Sequence, residues 1–274
     1  MIAVSAYYFL FGLAGVAVVA ATVQDLRRSE IANWLNFSFL AFALAYRAFY
    51  SAGNGDWMFL VYGIAGALLF YGIGNLLYYS RMYGGGDVKL LMGFGAVLPY
   101  SSWNDLIIVG LGFIFILFLV GVVYTLAYSI WIAVKNKRKF VLEFGRRWEK
   151  AIWNNKWFYI AFAFVILFSL MAGGWLFGIF GLAVLTYLLF IYIHAVDRCM
   201  IKLKNPLELQ EGDWLEEEVK LARGKVIEKS VHGLSFSDIR KLKKARKKVL
   251  IKEGIPFTPA FLIAWVIMVF VYFF

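Results

Sequence analysis

A single cysteine, Cys199, and two histidines, His194 and His232, give this 274-residue chain few of the usual means of building a reactive or metal-binding centre. One cysteine excludes a disulfide framework and a cysteine-rich zinc site within the chain. The histidines are far apart and lack metal-ligand spacing, so they read as an interfacial residue and a turn residue, and no metal site is expected. No Cys–His or Ser–His pair suggests a nucleophilic enzyme, and there is no internal repeat. Charge is also scarce. Only 16% of the residues are charged, against about 25% in an ordinary soluble domain.

What fills the space is apolar. Hydrophobic residues make up 62% of the chain and the mean hydropathy is +0.74. They sit in blocks of about 20 residues, the length that crosses a bilayer core. Eight such blocks are expected, near 2–24, 31–51, 57–80, 87–100, 104–134, 157–172, 174–197 and 257–274. The fourth is short for a full crossing and the fifth long. The first lacks a basic start and a small-residue cleavage site, so it reads as a retained span. The sequence therefore predicts an all-α polytopic membrane protein of about six to eight transmembrane helices, with a small cytoplasmic α+β domain before the last helix.

Charge placement orients these spans. With the N-terminus outside and all eight segments crossing, every Lys and Arg except Arg47 falls at or near the inner side. Basic residues flanking spans are retained in the cytoplasm, so both termini are expected outside in a multi-pass cytoplasmic-membrane protein. The net charge of +11 then records topology and attraction to anionic membrane lipids, with no call for nucleic acid. The expected organisation is a membrane core over 1–134, a basic loop or interfacial helix over 135–156, a transmembrane hairpin over 157–197, a cytoplasmic domain over 198–256 and a terminal span over 257–274. Around Phe140, Phe144 and Trp148 the aromatic and basic residues separate as on an interfacial helix; an ordinary basic loop fits as well. In 198–256 an acidic run from Glu208 to Glu218 precedes strand-like segments at 219–222 and 225–229, with Arg223-Gly224 as a hairpin turn. Ser235 or Ser237 can then cap a helix whose apolar stripe is Ile239, Leu242, Val249 and Leu250.

Ionisable groups at spans mark function by default. Asp105 reads as a helix cap and Asp197 as a boundary charge beside Arg198. Asp25 and Asp87 differ, because the topology puts both at cytoplasmic span ends, from different spans. Asp87 closes the run Gly84-Gly85-Gly86, where glycines permit unusual backbone conformations and clear space for an extended peptide. A flexible loop ending in an acidic helix cap accounts for the same residues. Two neighbouring carboxylates suit peptide hydrolysis, because they hold one proton between them and supply both acid and base.

Two blocks carry a resemblance. Asp25-Leu26-Arg27-Arg28-Ser29-Glu30-Ile31-Ala32-Asn33 and Gly84-Gly85-Gly86-Asp87-Val88-Lys89 resemble the catalytic blocks of the type IV prepilin peptidases, the G-x-G-D aspartic proteases. The likeness is nearest to the archaeal preflagellin (prearchaellin) and prepilin peptidases. It is strongest over about 20–100, and residues 254–261 share it more weakly. The resemblance implies an aspartic endopeptidase that removes short basic leaders from type IV pilin-like or archaellin precursors at the cytoplasmic membrane face. Asp25 and Asp87 would be its catalytic pair, Gly84, Gly85 and Gly86 its substrate-facing backbone, and Lys89 and Asn33 supporting residues, with no cofactor. Bacterial members often carry a paired-cysteine segment and also N-methylate the new terminus; with Cys199 alone, proteolysis without methylation is expected. Ala32 stands where the family often has proline. A presenilin-like or signal-peptide-peptidase-like protease shares G-x-G-D, but its first aspartate lies in a late span. A proton-coupled transporter would call for midplane carboxylates and repeated spans.

Overall fold

The computed structural model describes residues 5–80, 82–152, 175–221, 226–230 and 233–274. The helices among them are α1 (Ser5–Arg28), α2 (Asn33–Asn54), α3 (Met58–Tyr79), α4 (Gly85–Val97), α5 (Trp103–Lys135), α6 (Lys137–Ile152), α7 (Trp175–Cys199), α8 (Phe236–Ala245) and α9 (Thr258–Phe273). Two compact units emerge: Met1–Ala127 with Gly254–Phe274, and Tyr128–Glu253. The last helix thus belongs with the first ones, although 126 residues separate the two parts of its unit.

Among the described residues three helices are long and apolar enough to cross a membrane, at Ala6–Arg28, Met58–Tyr79 and Trp103–Lys135; Thr258–Phe273 is apolar but shorter. The expected span at 157–172 and the Arg223-Gly224 turn lie outside the described residues, as does His232. The outward faces are apolar: Leu68, Ile108, Phe115 and Val122 are all more than half exposed. Side chains of this kind are stable against lipid and not against water, so this is a membrane protein.

In the first unit α4 is the hub. Val88, Leu90, Leu91, Phe94, Ala96 and Val97 are all buried, and a helix apolar on every side belongs in an interior. Phe94 stacks on Phe113 of α5 and Phe261 of α9, and meets Phe39 of α2 edge-on. Against α3 the approach is closest where Gly66 and Gly95 face each other. A Cβ on either would run into the other's carbonyl oxygen, so only glycine allows these backbones to meet. The 13 residues of α4 span only about 20 Å at 1.5 Å per residue, short of a bilayer core.

That shortness creates a problem that Arg47 solves. The last carbonyls of a helix have no partner within it, and here they end in apolar surroundings. Arg47, fully buried on α2, donates from Nε to the Ala96 carbonyl (2.6 Å), from one terminal nitrogen to that of Leu98 (2.7 Å) and from the other to that of Phe59 (2.7 Å). Its charge rests over the Phe59 ring at 4.4 Å and at the negative end of α4. Nearby, the Tyr7 hydroxyl donates to the Tyr100 carbonyl (2.9 Å). The one basic residue that charge counting sets apart near an outer span end is therefore a buried rivet.

The second unit pairs α6 with α7 and adds a small sheet. Phe140, Phe144 and Trp148 form a ladder along α6, and Phe140 meets Tyr192 of α7 edge-on at 5.7 Å. Strands β1 (Ile201–Lys204), β2 (Trp214–Leu215) and β5 (Val249–Lys252) form an antiparallel sheet in the order β1-β5-β2, with Leu203 opposite Leu250. Strands β3 (Val219–Lys220) and β4 (Val226–Ile227) pair separately, Val219 opposite Ile227. Ser235 caps α8, its hydroxyl accepting from the Asp238 N–H (3.3 Å). The expected stripe breaks, however. The helix stops at Arg246, whose φ of 49° is left-handed, and Val249 and Leu250 enter β5. There Val249 and Ile251 point inward and Leu250 and Lys252 are half-buried, a period of two in place of 3.6.

Candidate active site

The two sequence blocks converge at one end of the first unit. Asp25 lies one turn before the end of α1, and the Ser29 N–H donates to its carbonyl (2.7 Å). Ser29 turns the chain with φ 53°. The Gln24 side-chain oxygen then accepts from the Ala32 N–H (2.9 Å), folding 29–32 back under the helix. This fold presses Ile31 against the glycine run: a Cβ on Gly86 would lie 3.1 Å from that of Ile31. Asn36 donates to the Gly86 carbonyl (3.1 Å), and Lys89 donates to the Asn33 side-chain oxygen (2.5 Å). The first block therefore grips the second through α2.

Asp87 is the third residue of α4 and half-buried; its Oδ2 accepts from the Gly84 N–H (3.1 Å). This is the backbone half of a capping box. The glycines are not used for left-handed backbone. Among the described residues the glycines with positive φ are Gly55, Gly212 and Gly233, while Gly84 is extended at φ −76° and ψ 159°. Clearance is what they supply. Gly86 fits beneath Ile31, and Gly84 and Gly85 leave exposed backbone beside Asp87.

Asp25 is buried, with 7% of its surface exposed. Its Oδ2 accepts from both the N–H (3.2 Å) and the hydroxyl (2.9 Å) of Thr258, the first residue of α9. A carboxylate is stabilised at a helix N-terminus by these donors and by the helix dipole. Asp25 and Asp87 stand at the same end of the unit, linked through Ile31 packed on Gly86 and Tyr83 packed on Phe257. The Tyr83 ring closes the gap between their supports, packing on Phe257 (5.0 Å) and Phe261 (6.1 Å) of the α9 segment. Its hydroxyl is buried and has no hydrogen-bond partner among the described residues. Among those residues no group of three or more His, Cys, Asp or Glu could hold a metal ion.

Residues 12–128 match the model of the type IV leader peptidase family. This segment belongs to that family. The leader-peptidase segment contains both aspartates and the glycine run, and it excludes Thr258. No curated protein and no solved structure matches the chain. Thr258, Tyr83 and Gln24 had no signal strong enough to single them out in the sequence. Thr258 lay in the weaker 254–261 resemblance, where its hydroxyl could not be distinguished from an ordinary helix start.

Proposed function

We propose that this protein is an aspartic endopeptidase that removes short basic leaders from type IV pilin-like or archaellin precursors at the cytoplasmic membrane face. One observation carries the reading: two carboxylates on different helices, Asp25 on α1 and Asp87 on α4, share one end of the core, where the first block packs on the glycine run.

Together the pair binds one proton fewer than its two carboxyls could. The ionised member takes a proton from water as the oxygen attacks the scissile carbonyl carbon. The protonated member gives its proton to the carbonyl oxygen, forming a neutral gem-diol. Collapse breaks the C–N bond, the amine leaves with a proton returned through the pair, and a new carboxyl remains on the leader. The exposed Gly84-Gly85 backbone offers an extended leader a place to hydrogen-bond beside Asp87. Lys89 and Asn33 hold α4 to α2 so that Asp87 keeps its position. The product terminus is not methylated, since the paired-cysteine segment that bacterial members often carry has no counterpart in a chain with Cys199 alone.

The test uses membranes containing the full chain and an archaellin- or pilin-type precursor. Wild-type protein releases the leader, whereas Asp25→Asn and Asp87→Asn do not. Cleavage at the wild-type rate by either variant overturns the proposal.

A further inference from the structure

We infer that Thr258 is a positioning residue for Asp25, which makes the C-terminal helix, outside the family-matched segment, a working part of the catalytic site. The inference rests on the peptidase reading. It starts from the two bonds that Thr258 makes, from its backbone and from its hydroxyl, both to Oδ2 of Asp25. Two donors on one oxygen fix the rotation of a carboxylate as well as its location, and direct its other oxygen.

The surroundings hold the threonine in turn. Thr258 is fully buried, and the Thr22 hydroxyl, bonded to the Val18 carbonyl (2.7 Å), also reaches the Thr258 carbonyl (3.4 Å). Thr22 precedes Asp25 by three residues on α1, so one helix face meets the first residue of α9 twice. Pro259 follows at the next helical position and has no N–H to offer, which leaves Thr258 to supply two donors from one residue. Phe257, just before it, packs on Tyr83 at the mouth of the glycine run. The α9 start therefore touches the supports of both aspartates. The rest of α9 is seated on α1, with Ala260, Phe261 and Ala264 fully buried and Gly15 against the Trp265 ring.

A hydrogen bond to a charged group is among the stronger kinds, and a carboxylate free to rotate loses its alignment with the attacking water. The comparison that isolates the hydroxyl is Thr258→Ser against Thr258→Ala, two variants that both lose the methyl group and differ by one oxygen. In the full-length protein, with the precursor cleaved by wild type, Thr258→Ser should keep kcat within about threefold. Thr258→Ala should lose about tenfold or more in kcat with KM unchanged within about twofold. If the Ala variant fails to fold, Thr258→Val, which keeps the volume, replaces it in the comparison. Equal kcat for the hydroxyl-bearing and hydroxyl-free variants overturns the inference, and so does a loss confined to KM. If wild type cleaves and only these variants misbehave, the peptidase reading stands without this inference; if wild type does not cleave, both fall.

Discussion

The two ends of the first unit both bury charge, and they treat it in opposite ways. At one end Arg47 gives its guanidinium to three carbonyls, those of Ala96, Leu98 and Phe59, at 2.6 to 2.7 Å. At the other, Asp87 accepts from the Gly84 N–H, and both bonds from Thr258 to Asp25 fall on a single oxygen. Two carboxylates have roughly eight lone-pair sites between them, so acceptor capacity is left for water and a peptide. The charge bonded through all three of its nitrogens holds the fold together, and the pair with open acceptor sites has room for the chemistry proposed for it. The short helix α4 links the two, with the Asp87 end exposed at its glycines and the far end closed by Arg47.

That contrast can be broken first at its reactive end. Asp25→Asn or Asp87→Asn should reduce leader cleavage by about a thousandfold or more, the range for loss of a general acid or base. Thermal unfolding in detergent should change little, since Asn keeps the shape. At the closed end the order reverses. Arg47→Met should destabilise the protein by about 3 kcal/mol or more, because three buried carbonyls lose their donor. Arg47→Lys should recover only part of this, as an ammonium carries its three donors on one nitrogen and cannot reach carbonyls that the guanidinium meets with three separate nitrogens. Activity should fall only as far as folded protein is lost.

A milder variant probes the link between the sequence blocks. Lys89→Met removes the bond to Asn33, and should lower cleavage by a few-fold, about 1 kcal/mol, with a stability change too small to account for it. The smallest effect is expected in the second unit. The Lys241 ammonium, and then the Ser235 hydroxyl, hold the Asp238 carboxyl below the usual carboxylate range. A depressed folded-state value means that its contribution is present above the unfolded value near 3.9 and is lost as pH falls through the folded one. Asp238→Asn should thus weaken amide protection in α8 at neutral pH by only about 0.5 kcal/mol, given its exposure. The difference from wild type should vanish in acid.

Much of this arrangement was legible in the sequence. Apolar block length located α1, α3 and α5 to within a few residues, because lipid imposes one length scale on every span. Asp25 and Asp87 stood out because carboxylates at spans are costly, and the strands at 219–220 and 226–227 because β-branched residues gather there. Arg47 was visible only as an exception to the charge bias. Its role depends on where α4 ends, which no local pattern in α2 reports. Thr258 was hidden for a similar reason: its partner is 233 residues away. The end of α8 misled the helical stripe, since Ile239, Leu242, Val249 and Leu250 satisfy helical spacing until a left-handed residue at Arg246 turns the chain into β5.

The central claim is that Asp25 and Asp87 work as one unit, and a double-mutant cycle on leader cleavage tests it most directly. Residues acting together are far from additive. The account predicts that Asp25→Asn, Asp87→Asn and the double variant all fall to the same residual rate. A single variant that keeps more than about a tenth of the wild-type rate, well above the loss expected for an acid or base, or a double variant whose loss is the product of two independent losses, would contradict it.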